Sequence, residues 1–301
     1  MLINLEFLYN ILCYTILKIE IQKVFNITTP MHNQFKGFCQ TPSLFKDTFY
    51  DLKIFEIEDI NIDSFDISNI QILQQLPLGK RVEFFFDEII QQSSRYERII
   101  KNKQIIHNKH TFGEIDFILF DKKKEKYIHI EMQYKFYVYD DSFENEIDRY
   151  IGPNRSDTLL LKLQKLKNKQ FPLLFKEETK LYLDDVELDN IEQKILFKGN
   201  IFLPRHLRDE KLTLVNNSCI SGYYLSFRQF VEDDLFKKMS LFVPHRFDWL
   251  SDPKSNENWK SYDEAKKEIE FFANIKASPL IWSKQIINGE TIIERFFVTW
   301  W

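Results

Sequence analysis

The chain has 301 residues, enough for one large domain or two smaller ones around a sizeable core. Its formal net charge is −4, so the whole-chain field does not advertise a nucleic-acid binder, and any basic surface has to be local. The three cysteines, Cys13, Cys39 and Cys219, are odd in number and far apart, which argues against a disulfide framework or a zinc cluster and fits a reducing, cytoplasmic compartment.

The stretch Phe7 to Leu17 is free of charge but too short for a membrane span, which needs about 20 apolar residues, and the first charge is Glu6 where a signal peptide carries a basic start. Residues 1–30 are read as an extension ahead of a true start at Met31, with an ordinary amphipathic helix as the alternative. No membrane association is expected. Residues 31–78 mix aromatic, acidic and turn residues and suggest short helical or irregular elements, closed by Pro77-Leu78-Gly79. From residue 79 to 301 the chain is read as one domain with a C-terminal elaboration. Val82, Phe85, Phe86 and Ile89 recur at helical spacing after Lys80, and Glu83 sits on the shoulder of that apolar stripe. On its own, Glu83 reads as a solvated helix residue.

Residues 95–109 suggest a strand ending near His107. His107 and His110 look like loop histidines, since no third ligand of matching kind lies nearby. Then comes GEIDFILFDKKKEKYIHIEMQYK, Gly113 to Lys135, two apolar runs flanking a run of charge, which is the pattern of a hairpin. A turn centred between Lys123 and Lys124 sets Asp116 opposite Glu131, with Cβ atoms about 5 Å apart. His129, Glu131, Gln133 and Lys135 share one face of the second strand. Polar alternation of this kind usually marks a solvated face, but the first strand is apolar on both sides and therefore reads as central and covered. A carboxylate there needs a partner. Two opposed acids with a lysine nearby are able to hold a divalent metal and polarise a water. They would also suit a retaining glycosidase, although nothing else in the chain suggests a sugar cleft.

Gly152-Pro153-Asn154 is a tight turn, and Ser156 or Asp157 is placed to cap the helix that follows. Leu159, Leu163 and Leu166 form its apolar stripe, Lys162, Lys165 and Lys169 a basic one, and Pro172 is expected to end it. The bland reading of the lysines is a solvated face, and the functional one is a surface facing phosphates, with Arg155 close by. Further on, 194–204, 221–230 and 239–250 read as strands, 252–261 as a polar linker and 262–275 as a helix. The last segment reads as a hairpin about Asn288-Gly289. Trp249 and Trp282 are expected in the core.

Gly79-Lys-Arg-Val-Glu83, Thr111-Phe-Gly-Glu-Ile-Asp116, Glu131-x-x-x-Lys135-Phe-Tyr, Gly152-Pro-Asn154 and the lysine-rich run from Asp157 to Gln170, in that order, resemble the bacterial domain-of-unknown-function 1853 family, as do LFKGNIFLP, SGYYL and VPHRFDWLSDP. The resemblance covers roughly residues 40–301. It implies an α/β (α+β) fold of the PD-(D/E)XK nuclease-like, restriction-endonuclease-like type, a mixed central sheet flanked by helices in αβββαβ order, with extra C-terminal strands and a helix. It implies Mg²⁺ or Mn²⁺ held by Glu83, Asp116 and Glu131, and DNA or RNA as substrate. Arg155, Lys162 and Lys165 would then contact nucleic-acid phosphates. Such enzymes carry a water-positioning lysine two residues after the Glu. Here that residue is Gln133, and Lys135 lies about 7 Å further along the same strand face. The expectation is therefore a metal-dependent nuclease with Lys135 and Gln133 at the attacking water, or a nuclease-fold module that binds nucleic acid or protein without cutting.

Overall fold

The computed structural model describes residues 31–46, 48–57, 76–183 and 186–301. The extension read into residues 1–30, and residues 58–75, lie outside the described residues. Among the described residues, ten strands form one mixed sheet. They are β1 (Lys53–Ile54), β2 (Tyr96–His107), β3 (His110–Asp121), β4 (Lys126–Tyr139), β5 (Tyr150–Ile151), β6 (Glu192–Pro204), β7 (Ile220–Ser226), β8 (Ser240–Phe242), β9 (Leu280–Ile287) and β10 (Glu290–Thr299). The main path runs β2-β3-β4-β6-β7-β10-β9-β8, with β1 added on β6 and β5 on β4. The pairs from β4 through β6 and β7 to β10 are parallel, and the two ends of the sheet are antiparallel.

Helices cover both faces. On one face lie α1 (Met31–Gln40) and α2 (Leu78–Gln92), whose Phe35, Phe38, Val82, Phe85 and Phe86 pack on Met132, Tyr134 and Phe136 of β4. On the other lies α3 (Leu159–Lys165), whose Leu159 and Leu163, with Leu166 beyond them, pack on Tyr137 and Tyr139. β4 is therefore buried on both sides, as its alternation in the middle of a sheet requires. A third core, beneath α5 (Tyr262–Asn274), gathers Ala265 and Ile269 against Phe296 and Ile281. Trp282 is fully buried and Trp249 packs partly buried against the first core, in line with expectation.

The expected hairpin register is the observed one. Phe117 pairs with Ile130 and Asp121 with Lys126, around a turn at Lys122–Glu125. The strand read to end near His107 does so. However, His107 and His110 are paired strand residues that close a tight turn at Asn108-Lys109. Asn288 and Gly289 both take the positive φ angles that a two-residue hairpin turn demands.

Other elements differ from expectation. The cap of α3 is Thr158, which accepts the Leu161 N–H, because Asp157 is held by Lys135. Pro172 does not end the helical path. A π-turn at Leu166–Gln170 follows α3, and Pro172 falls in the first turn of the next short segment, Phe171–Leu173, where its missing N–H is harmless. The strand from 221 stops at Ser226, which caps α4 (Phe227–Glu232) through a capping box with Gln229. The stretch 239–250 is a three-residue strand followed by a 3-10 turn at Arg246–Leu250.

Candidate active site

The antiparallel ladder between β3 and β4 runs as far as Phe117–Ile130. One step beyond, in the same register, stand Asp116 and Glu131. The strands part here, and the Asp116 carboxylate replaces strand backbone by accepting the Met132 N–H at 2.9 Å. Asp116 lines a cleft of about 500 Å³ while Glu131 is fully buried behind it. The two side chains lie within hydrogen-bonding contact.

A chain of donors holds Glu131. Gln193 donates through Nε2 to His129 Nδ1 at 3.0 Å, which leaves the proton of His129 on Nε2, 3.0 Å from Glu131 Oε1. Gln170, at the end of the π-turn, donates to Glu131 Oε2. Burial keeps His129 neutral, with its pKa down at about 4. Burial also drives both acids the other way. Asp116 is pushed up to about 8 by desolvation and then by repulsion from Glu131, with Glu83 adding to it. Glu131 is likewise raised to about 8 by burial, against its hydrogen bonds and the Lys162 charge. Two carboxyls in that state hold a proton at neutral pH.

The cleft lies between α2 and α3, where β3 and β4 part partway along their length. Glu83 lines it from α2, and its carboxylate is 2.8 Å from Lys80, which also reaches Glu114 at 2.8 Å. One turn further on, Asp87 is pinned by Arg98 and Lys101 of β2, each at 2.5 Å, so α2 is fixed against the sheet and Glu83 is held at the rim. The facing wall is the basic stripe, Lys162, Lys165 and Lys169. Lys162 makes no ion pair among the described residues, yet it feels the charges of Asp116 and Glu131. Burial, aided by Lys165 and Lys135, lowers its pKa to about 8.

The cleft thus brings together Glu83, Asp116, Gln133, Lys135, Lys162 and Lys165, with Glu131 immediately behind. Lys135 is tied to Asp157 Oδ2 at 2.5 Å. Arg155 stands apart from the cleft lining. Its guanidinium is bound to Asp140 at 2.6 Å and lies over the Trp301 ring, 3.8 Å from its centroid. The roles of His129 and Gln170 toward Glu131 were not assigned from sequence. His129 was visible on the Glu131 face, whereas the approach of Gln170 depends on the π-turn.

Among the described residues no group of three or more His, Cys, Asp or Glu side chains is gathered to hold a metal ion. The chemistry of the donors nevertheless suits a hard divalent cation. They are carboxyl groups, two of them buried side by side and kept protonated chiefly by that burial. Among the described residues no helix is long and apolar enough to cross a membrane.

No curated protein and no solved structure matches the chain. A family model does match, over residues 61–298, which is most of the chain and takes in both walls of the cleft. The chain belongs to the family described as "Domain of unknown function (DUF1853)".

Proposed function

We propose that the chain is a divalent-metal-dependent phosphodiesterase of the PD-(D/E)XK nuclease-like type, acting on DNA or RNA. The observation that carries this is the pairing of two walls across one cleft, a buried acid pair on one side and a three-lysine stripe on the other. A phosphodiester is the substrate that needs both, a cation site for the attacking water and cationic side chains for the backbone. The order α2-β2-β3-β4-β5-α3-β6, in which β5 is a two-residue addition to β4, with β3 next to the edge strand β2, β4 inside the sheet and α2 and α3 on opposite faces, supports the nuclease-like assignment.

In this proposal Asp116, Glu131 and Glu83 hold Mg²⁺ or Mn²⁺, which supplies positive charge to a bound water and to the phosphate. The chain's own residues do the rest. Gln170 and His129 hold the Glu131 carboxylate in place. Gln133 orients the water as a neutral amide. Lys162 faces the acids, and its lowered pKa lets it take up or give back a proton near neutral pH. Lys165 and Lys169 receive phosphate oxygens along the wall. Lys135 is engaged by Asp157 and steadies the turn before α3.

The test is nicking or degradation of DNA and RNA by purified protein with Mn²⁺, compared with Glu131→Ala and Asp116→Asn. Loss in both variants is expected, and equal activity in variant and parent overturns the assignment. A non-cutting binding module is the second reading. The internal use of both Glu131 oxygens and the absence of a gathered three-acid group among the described residues favour it. Calorimetry with Mn²⁺ separates the two, because the module gives no saturable binding.

A further inference from the structure

The two walls of the cleft stand on opposite faces of the sheet, with Val82 and Trp249 on the α2 side and Lys162 and Lys165 on the α3 side. The cleft therefore crosses the plane of the sheet, and it does so along a free edge of β4. Met132 turns its N–H to Asp116, and further along the Asp140 N–H reaches the Arg149 carbonyl at 2.8 Å on the same side. Backbone direction alternates along a strand, so Tyr134 and Phe136 turn their N–H and C=O groups to that side as well. Neither meets a strand there. The pairing with β3 stops at Phe117–Ile130. Continued from Val138–Ile151, the β5 register would set Pro153 opposite Phe136. Proline has no N–H to give, and the Pro153 carbonyl is taken by Ser278 at 2.8 Å and Trp301 at 3.0 Å. Among the described residues no backbone hydrogen bond reaches Tyr134 or Phe136 from this side. Their side chains are buried in the α2-side core, so what they turn toward the gap is main chain.

The charges along this edge have one sign. Glu83 and Glu114 share Lys80, Asp157 is held by Lys135, and Asp116 keeps its proton to about pH 8. The charged lining residues that make no ion pair among the described residues are Lys162, Lys165, Lys169 and Arg246. Arg246 is exposed at the α2-side mouth, where its guanidinium lies over the Trp249 ring, 5.5 Å from the centroid.

Unpaired edge groups at strand spacing suit an extended chain, and four cations beside them call for a polyanion. An extended peptide could pair with the same edge, but it brings no regular charge for the cations. β3 and the Gly152-Pro153-Asn154 turn hem the opening at its sides, and α2 and α3 above and below, which leaves room for one extended chain and none for a paired one. The geometry points to single-stranded nucleic acid as the substrate, threaded across the sheet along β4 from the Arg246–Trp249 mouth to the lysine stripe. The Tyr134 and Phe136 N–H groups and Arg246 meet its phosphates, and a base stacks at the Arg246–Trp249 pair. This rests on the nucleic-acid reading of the cleft, but not on cutting.

The test is fluorescence anisotropy of the whole protein, in chelator and at constant ionic strength, with a labelled oligothymidylate of about 12 nucleotides, alone or paired with its complement. The single strand is expected to bind at least about tenfold more tightly than the duplex, and Arg246→Gln to weaken the single strand severalfold while leaving the duplex unchanged. Amide exchange supplies a second readout that needs no variant. In the free protein the Tyr134 and Phe136 amides are expected to exchange faster than those of Gln133 and Lys135, and the single strand to slow them. Equal affinity for strand and duplex, unchanged exchange at Tyr134 and Phe136 on binding, or an oligoglutamate of equal charge binding as tightly as the oligonucleotide overturns the inference. Cutting is scored separately: single-strand binding without nicking leaves this inference standing and removes the catalytic assignment, and nicking with equal duplex binding does the reverse.

Discussion

The Asp116 carboxylate accepts the backbone N–H of Met132 at 2.9 Å and so sits where the neighbouring strand would otherwise supply a carbonyl. That bond locks Asp116 against Glu131 in a place where neither is solvated well enough to ionise freely. The acid pair is thus a product of the sheet coming apart at one particular step.

A pH dependence follows. In the unfolded chain both carboxyls are ionised above about pH 5, whereas the folded pair keeps its protons up to about 8. Unfolding therefore releases protons in this interval, and raising the pH favours it. His129 acts in the opposite direction, but only below about pH 6.5, and Lys162 only above about 8. Between about pH 6.5 and 8, in chelator, the melting midpoint should fall by about 3 °C or more. Asp116→Asn should flatten the profile. A flat or rising profile in the parent protein, measured by scanning fluorimetry, rules out the shared-proton state.

The two ends of the lysine stripe should separate kinetically. Lys162 faces the acids and Lys165 lies further along the wall. Lys162→Gln should lower kcat about 100-fold with little change in KM, and should remove the alkaline shoulder of the pH profile. Lys165→Gln should raise KM and reduce its salt dependence while leaving kcat within a few fold. Equal effects on both parameters in both variants would show that the stripe only attracts backbone.

Gly37 in α1 packs against the Leu250 carbonyl so closely that a Cβ would overlap it. Alanine in place of glycine within a helix is ordinarily worth about 1 kcal/mol of added stability. Here overpacking against main chain should win, with a net loss of about 2 kcal/mol or more by urea denaturation. A neutral or stabilised Gly37→Ala would mean that α1 is free to slide on the Arg246–Leu250 turn. That turn is tied to α1 and α2 through Gln34, which donates to Asp248 and accepts from Arg81, each at 3.0 Å.

Much of the sheet could be read from local chemistry. The charged run Lys122–Lys126 between alternating strands set the register that brings Asp116 to Glu131, and Asn288-Gly289 announced its hairpin. What escaped reading depended on partners distant in the chain. Ser156, Asp157 and Thr158 are all chemically able to cap a helix, and the choice fell to Thr158 because Lys135 claims Asp157. The π-turn after Lys165 leaves no trace in the leucine spacing, yet it brings Gln170 to Glu131. The helix at Phe227 did have a local signal, Ser226 with Gln229 three residues later, which the aromatic run around it obscured.

β10 lies inside the sheet, parallel to β7 on one side and antiparallel to β9 on the other. β7 is made long before this neighbour exists, so during synthesis one of its edges stays bare while β8, α5 and β9 emerge. A bare edge in a half-finished sheet is an invitation to pair with the wrong chain. The protein therefore has a vulnerable interval on the ribosome that ends only when its final hairpin slides into the waiting slot.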